Sequence, residues 1–222
     1  MIPPREMSSI TASSSQEAAP YHFGSENRSD LRSKIRRKRR ELPHAAQARC
    51  AERLAAHLAA SPLFRRSKRI ACFFPQDGEI DLTRVFPRFF SMRKKAYLPV
   101  LQGKRLWFLP LEANTPLTRN KYGIPEPDLP PRSRCAPQGL DLVLAPLVAF
   151  DSAGHRLGMG GGYYDRTFAY LPHRRALRKP VIIGVAYGFQ QVASLSANPW
   201  DIPLDGVVTE AGWVSDPGAP SR

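Results

Sequence analysis

A run of apolar residues that leads into a cluster of glycines constrains this chain more than any other stretch of its sequence. The apolar run extends from Leu140 to Val148, and four glycines fall within the five positions 158–162. An amphipathic run follows, from Tyr163 to Leu171. Glycine is costly in regular structure but accepts positive φ angles, so such a cluster marks a tight turn or a close approach of backbone to a ligand. The order of these features predicts a strand, a glycine loop and a helix.

The glycine loop has the composition of a nucleotide-phosphate site. Backbone N–H groups in front of a helix can cradle an anion, and the flanking Arg156 and Arg166 add positive charge. Asp165 lies beside them, and a carboxylate in a phosphate site is a natural ligand for Mg²⁺. The alternative is a plain turn in which Asp165 caps the helix or pairs with Arg166. Neither common glycine fingerprint of nucleotide sites fits these positions, so the site is favoured by the combination of residues.

The same residues carry a resemblance to a known family. Arg156-Leu-Gly-Met-Gly-Gly-Gly-Tyr-Tyr-Asp-Arg166, preceded by Pro146-Leu-Val-Ala-Phe-Asp151, closely resembles the signature of the 5-formyltetrahydrofolate cyclo-ligases. The resemblance extends from about Arg28 to Glu210. It implies ATP-driven conversion of 5-formyltetrahydrofolate to 5,10-methenyltetrahydrofolate, with release of ADP and phosphate. It also implies the fold that this family shares with the sugar-phosphate isomerase and CoA-transferase group.

The resemblance assigns residues to each ligand. The residues expected to bind ATP are Arg28, Arg32, Arg156, Leu157, Gly158, Met159, Gly160, Gly161, Gly162, Tyr163 and Tyr164. Those expected to bind the folate are Phe74, Glu79, Tyr122, Met159, Gly160, Gly161, Gly162 and Tyr163. The expected Mg²⁺ ligands are Asp165 and Asp205, and Arg156 is the residue expected to act in catalysis.

Several of these residues have a second interpretation. Glu79 follows an apolar strand, where open α/β sheets bind ligands, whereas its neighbour Asp81 is better placed to cap a helix. Tyr122 either lies against the pterin or packs on the surface. Asp205 either binds Mg²⁺ or caps a turn at Gly206.

The loop itself departs from the family pattern. Some family members place a lysine or arginine inside the loop, where this chain has Met159 and Gly161. Arg166 is the nearest residue that can supply the missing charge. His155 is interpreted as an exposed turn residue rather than a general base.

The net charge of +14 suits anionic partners such as nucleotides, polyglutamate tails or nucleic acid. Much of it lies in the basic run 32–40, which is either a solvated helix face, a nucleic-acid patch or a source of contacts to the ATP phosphates. A nucleic-acid-binding protein explains the charge but not the glycine loop with its carboxylate. A generic ATP-dependent kinase explains the loop but leaves the folate-like residues without a role.

The remaining patterns predict an α/β domain between two tails. Apolar strand runs alternate with helical runs, which predicts a three-layer α/β/α fold with a mainly parallel sheet. Residues 28–211 are expected to form this domain. Residues 1–27, rich in Ser, Pro and Ala, are expected to be a disordered extension, and residues 212–222 a disordered tail.

Composition also bears on location and partners. The three cysteines lack C-x-x-C spacing, which is typical of reduced thiols in a cytosolic protein. No apolar run approaches the roughly 20 residues of a membrane span. We therefore expect a cytoplasmic monomer whose partners are ATP and 5-formyltetrahydrofolate, with no need for a membrane or nucleic acid.

Overall fold

The structure is a computed structural model that describes residues 27–173 and 179–215. The α-helices in these ranges are α1 (Arg28–Glu41), α2 (His44–Ala60), α3 (Pro62–Arg66), α4 (Phe86–Ser91) and α5 (Tyr163–Phe168). The strands are β1 (Arg69–Ala71), β2 (Lys95–Gln102), β3 (Arg105–Leu111), β4 (Leu117–Arg119), β5 (Pro125–Pro127), β6 (Leu142–Pro146), β7 (Ala149–Phe150), β8 (Arg156–Leu157), β9 (Val181–Val185), β10 (Gly206–Thr209) and β11 (Gly212–Ser215). None of the helices in the described ranges is long and apolar enough to cross a bilayer.

A seven-stranded sheet in the order β11-β10-β9-β6-β1-β2-β3 forms the centre of the fold. The five strands from β10 to β2 in this order pair in parallel, and only the edge strands β3 and β11 are antiparallel to their neighbours. Parallel strands are covered on both faces and therefore read as continuous apolar runs, as Val181–Val185 does. The prediction of an α/β fold with a mainly parallel sheet is confirmed.

The two faces of the sheet bury alternate residues of each strand, because successive side chains point to opposite sides. Leu142 and Leu144 of β6 belong to a core that includes residues of α2, α3 and α4. Val143 and Ala145 belong to the opposite core, which contains Phe168 of α5. Helix α5 is short, so that face is completed by loop residues such as those at 202 and 204.

Helix α1 packs across the end of the sheet rather than on either face. Leu31 and Ile35 form a third cluster with apolar residues that follow β6 and β9, among them Val148 and Val192. The side-chain amide of Asn27 caps the helix, since its Oδ1 accepts a hydrogen bond from the Ser29 N–H. This packing brings one side of the basic helix to the ends of the parallel strands.

The prediction of a disordered tail over residues 212–222 is corrected for residues 212–215, because these residues form β11. Gly212–Ser215 forms an antiparallel hairpin with β10, and the Thr209 hydroxyl accepts from the N–H of Ala211 in the turn. The indole N–H of Trp213 donates to the carbonyl of His57, and the ring packs against the core on the α2 side. These contacts attach the segment to the sheet. Residues 1–26 and 216–222, which carry the remaining expectations of disorder, lie outside the described residues.

Candidate functional site

A cavity of about 880 Å³ opens at the carboxyl ends of the parallel strands. It is bounded by the end of β6 at Pro146 and Leu147, by the segment after β1, by α1, by the glycine loop and by residues 198–201. Ligands of open α/β sheets bind at this edge of the sheet. The cavity is therefore the candidate functional site.

The structure brings nearly all of the predicted site residues to this cavity. Those that line it are Arg28, Arg32, Phe74, Glu79, Tyr122, Arg156, Gly158, Met159, Gly160, Gly161, Gly162, Tyr163, Tyr164 and Asp165. Two predicted residues are absent from the described lining. Leu157 is fully buried in the cluster beneath α1, and Asp205 precedes β10.

The strand before the glycine loop differs from the prediction. The apolar run contains β6, as predicted. The chain then forms the small hairpin β7–β8 before it reaches the loop. Asp151 organises the turn of this hairpin by accepting hydrogen bonds from the N–H groups of Ala153 and His155. His155 pairs with the same carboxylate through Nδ1 at 2.9 Å and is absent from the described cavity lining. Its position agrees with its interpretation as a turn residue.

Two of the loop glycines adopt backbone angles that favour glycine. Gly160 has φ +97°, and Gly162, which immediately precedes α5, has φ +60°. A Cβ on Gly162 would lie 2.6 Å from Nη1 of Arg166. Arg32 donates from Nε to the carbonyl of Gly158 at 2.8 Å, and Arg166 donates from Nη2 to that of Gly161. Two guanidinium groups therefore hold the loop from its carbonyl side.

Arg156 is fixed in the wall of the cavity. Its side chain is only 6% exposed, and Nη2 lies 2.6 Å from Oδ1 of Asp165. Nη1 donates to the carbonyl of Ile202, whose N–H donates to the same carboxylate oxygen at 3.2 Å. Asp165 thus pairs with Arg156, whereas Arg166 binds the carbonyls of Lys104 and Gly161.

Asp205 and Asp201 occupy different positions relative to the cavity. The Asp205 carboxylate accepts the N–H of Ile182 at 2.7 Å, near the start of β9. Asp201 lines the cavity, where Oδ2 lies 3.4 Å from Nη2 of Arg28 and accepts the N–H of Asn198 at 2.9 Å. Of the two aspartates in residues 198–205, Asp201 is therefore the one that lines the cavity together with Asp165.

A second group of lining residues is largely apolar and lies on β2, on the segment that ends in β5 and on the segment after β1. Tyr122 stands at the rim with 57% of its surface exposed, and its hydroxyl lies 3.3 Å from that of Tyr163. Phe74 packs edge-on against Phe86 at 5.9 Å between ring centroids. The remaining members of this group include Leu98, Pro99, Leu101, Ile124 and Pro125. The cavity thus combines cationic and apolar surfaces, which suits a ligand pair of mixed polarity.

Glu79 is the most strongly perturbed carboxylate of the cavity. Its side chain is 11% exposed, Oε2 accepts the N–H of Gln76 at 3.1 Å, and Oε1 lies 3.6 Å from Nη1 of Arg39. Burial raises the pKa of Glu79 to about 7, although Arg39 opposes this shift. Asp81 instead accepts the N–H and hydroxyl of Thr83 in the turn before α4, where Leu82 rather than Asp81 occupies the N-cap position.

The raised pKa predicts a pH-dependent contribution of Glu79 to stability. Between its ordinary value of 4.5 and about 7, the folded protein binds more protons at Glu79 than the unfolded chain does. The contribution to the free energy of unfolding therefore falls as pH rises through this window. Since Glu79→Gln removes the titration, its Tm relative to wild type should increase steadily from pH 5 to pH 7.5 in thermal melts. A difference in Tm that stays constant over this range would contradict the shift.

Sequence reasoning missed several residues of the cavity, most of them polar. The principal ones are Arg36, Asp77, Asn120, Glu126, Asn198, Trp200 and Asp201. Asp77 directly precedes Gly78, a pair of residues typical of a tight turn beside a site. Asp201 lies within the range of the family resemblance, four residues before Asp205, which the resemblance assigns to Mg²⁺. Both signals were therefore present in the sequence.

Comparisons with known proteins agree with this architecture. Residues 24–210 match the profile of the 5-formyltetrahydrofolate cyclo-ligase family. The chain is 36% identical over 185 residues to the 5-formyltetrahydrofolate cyclo-ligase of Haemophilus influenzae, which covers 82% of this chain and 97% of that one. It is 37% identical over 178 residues to the enzyme of the same name from Escherichia coli, with 79% and 96% covered.

Solved structures show the same relationship. The NMR structure of Aquifex aeolicus 5,10-methenyltetrahydrofolate synthetase aligns with a TM-score of 0.73 at 34% identity, covering 88% of this chain and 96% of that one. The synthetase from Mycoplasma pneumoniae aligns with a TM-score of 0.65 at 26% identity, covering 83% and 99%. The chain therefore belongs to the 5-formyltetrahydrofolate cyclo-ligase family of enzymes.

Proposed function

We propose that this chain converts 5-formyltetrahydrofolate to 5,10-methenyltetrahydrofolate at the expense of Mg-ATP, releasing ADP and phosphate. The observation that carries the proposal is the composition of the cavity at the carboxyl ends of the parallel strands. It joins a glycine loop flanked by arginines to an apolar surface with a buried carboxylate. The first combination suits a triphosphate and the second suits a flat heterocycle with polar edges. The names of the relatives support the same reaction.

The chemistry explains why a nucleotide and a folate must share one cavity. A formamide oxygen is a poor leaving group, and amide resonance also makes the formyl carbon a weak electrophile. Transfer of the γ-phosphoryl group to this oxygen forms a phosphate ester and releases ADP. The N10 nitrogen of the folate then bonds to the formyl carbon, the C–O bond breaks, phosphate leaves and N10 loses its proton. No protein nucleophile is required.

The arginines of the cavity provide what phosphoryl transfer demands, which is positioning and neutralisation of charge. Arg28 and Arg32 project from α1 one turn apart, and Arg156 faces them from β8. Burial and the neighbouring Arg28 lower the pKa of Arg32, which an anion between the two side chains would reverse. We assign these three guanidinium groups and the backbone of residues 158–162 to the triphosphate.

Asp165 is the first carboxylate that we assign to Mg²⁺. An ion bound with ATP needs only one or two protein carboxylates, because phosphate oxygens and water complete its shell. Asp165 and Asp201 both line the cavity and fit this demand. The family resemblance also implies Asp205, but its carboxylate accepts the Ile182 N–H, so we expect Asp205 to stabilise the fold rather than to bind the ion. When bound, the ion would neutralise charge on the phosphates.

Glu79 is assigned to the folate, together with Phe74 and Tyr122. We expect Glu79→Gln to raise KM for 5-formyltetrahydrofolate by at least about tenfold, the effect of losing a charge-assisted hydrogen bond, and to leave KM for ATP within about twofold. Steady-state kinetics with each substrate varied in turn measure both constants. Glu112, which is exposed and outside the described cavity lining, supplies the control Glu112→Gln. An equal rise of both KM values would show that Glu79 supports the whole cavity rather than the folate.

The experiment that tests the reaction is direct. The purified chain is mixed with Mg-ATP and 5-formyltetrahydrofolate, and the absorbance of methenyltetrahydrofolate is followed with ADP release. We expect product in stoichiometric amounts with ADP and none when ATP is replaced by ADP. Absence of turnover, together with salt-sensitive binding to nucleic acid, would overturn the proposal in favour of a nucleic-acid-binding protein.

A further inference from the structure

Arg39 is a fully buried arginine on the last turns of α1, and it is absent from the described lining of the cavity. Its guanidinium contacts three groups that do belong to lining residues. Nη2 lies 2.9 Å from Oδ2 of Asp77, Nη1 donates to the carbonyl of Leu147 at 3.3 Å, and Nη1 lies 3.6 Å from Oε1 of Glu79. A buried guanidinium is costly unless paired, so this arrangement requires a reason beyond helix packing.

The segment that carries Glu79 is seated directly on α1. Asp77 has φ +51° and Gly78 has φ +73°, so two consecutive residues adopt left-handed backbone. A Cβ on Gly78 would lie 2.9 Å from the backbone carbonyl carbon of Arg39. The turn closes on itself, because the Glu79 N–H donates to the carbonyl of Gln76 at 2.9 Å. The orientation of Glu79 is therefore tied to the position of Arg39.

The two carboxylates of this segment differ in their cationic partners. Asp77 also lies 2.6 Å from Nε of Arg36 and 2.9 Å from Nη1 of Arg40, so it keeps two partners if Arg39 is removed. Among the described residues, only Arg39 forms an ion pair with Glu79. Removing Arg39 would thus leave the segment attached through Asp77, whereas the Glu79 carboxylate would keep the Gln76 N–H and lose its cationic partner.

We infer that Arg39 is a positioning residue, which holds the Glu79 carboxylate and residues 76–79 in the orientation that binds the folate without touching the substrate itself. This inference rests on the proposed role of Glu79. It gives a buried member of the basic helix a function distinct from that of Arg28 and Arg32, which face the cavity. The charge of Arg39 is used inside the protein, on a carboxylate that in turn faces the ligand.

Three variants test the inference. Arg39→Met retains the length of the side chain and should raise KM for 5-formyltetrahydrofolate at least about tenfold while KM for ATP stays within about twofold. Arg39→Lys keeps the charge but loses the planar fork, and it should restore part of the affinity. Arg40→Gln is the matched control, because Arg40 also pairs with Asp77 but is 54% exposed. It should behave as wild type.

A double-mutant cycle shows whether Arg39 acts through Glu79. If it does, Arg39→Met should have little further effect in the Glu79→Gln background, since contacting residues are non-additive. Additive losses, or equal rises in KM for both substrates, would overturn the inference. If Arg39→Met fails to fold, Arg39→Lys decides the question, because a loss confined to the folate supports positioning and a loss shared by ATP contradicts it.

The double-mutant cycle should also be measured without turnover, by calorimetric titration of each variant with 5-formyltetrahydrofolate in the absence of ATP. A chain that binds the folate but produces no methenyltetrahydrofolate would refute the proposed reaction and leave the Arg39 inference to be judged by the binding cycle. Normal turnover together with additive losses in the double-mutant cycle would support the proposed reaction and overturn the Arg39 inference. The two proposals therefore fail separately.

Discussion

Replacing Arg156 with alanine is expected to lower kcat by several hundred-fold in a protein that remains folded. The guanidinium faces the cavity beside the glycine loop and is held by Asp165 and the carbonyl of Ile202. In the proposed phosphoryl transfer, the developing charge would therefore meet a donor that needs no reorganisation. Removal of one such preorganised donor typically costs about 2–4 kcal/mol, or about 10²–10³ in kcat. Steady-state kinetics at saturating Mg-ATP and folate measure the change.

Two further variants separate a catalytic arginine from a structural one. Arg156→Lys keeps the charge but loses the fork that binds two partners, so its kcat should lie between those of wild type and Arg156→Ala. Arg166→Ala should lose less activity, because Arg166 is exposed and donates hydrogen bonds to the backbone carbonyls of Lys104 and Gly161. Unfolding of Arg156→Ala in thermal melts, or near-normal kcat in a folded sample, would exclude the catalytic assignment.

Much of the fold could be predicted from sequence because burial leaves a periodic pattern. Val181–Val185 is apolar at every position, and it pairs in parallel on both sides. The basic run 32–40 lies in helix α1, which begins at Arg28, where Asn27 caps it. The glycine loop can be identified because its composition is unusual, whereas the hairpin β7–β8 between the apolar run and the loop has no comparable pattern. Local pattern therefore found the elements more reliably than their connections.

The assembly of the cavity depended on contacts between distant segments, which spacing does not encode. Asp77 and Arg36 are separated by 41 positions, and Asp201 and Arg28 by 173. Arg39 appeared to be one more member of a basic run. Its spacing of four and eight residues from Ile35 and Leu31 places it on the buried side of α1, so helical periodicity contained that information. The position of a charged residue on the apolar side of the helix was therefore the sequence feature that indicated its burial.

Asp165→Asn is expected to raise the Mg²⁺ concentration needed for half-maximal activity by at least about tenfold, the loss typical when even an outer-shell partner of a metal site is removed. Asp205→Asn is expected to lower Tm and to leave the Mg²⁺ requirement unchanged, because its carboxylate accepts the Ile182 N–H. An equal increase for Asp205→Asn would support the pair of ligands implied by the family resemblance. Mg²⁺ titration of each variant with a non-hydrolysable ATP analogue, followed by calorimetry, measures the affinity without turnover.

Because Asp165 also holds Arg156, lost activity alone would not identify it as a metal ligand. Excess Mg²⁺ separates the two roles. If Asp165 binds the ion, saturating Mg²⁺ should restore most of kcat, since a weaker site is filled by mass action. If Asp165 acts only by orienting Arg156, saturating Mg²⁺ should leave kcat low and the calorimetric affinity at the wild-type value. A low kcat with wild-type Mg²⁺ affinity in Asp165→Asn would exclude Asp165 as a metal ligand. Asp201 would then be the cavity carboxylate to test next.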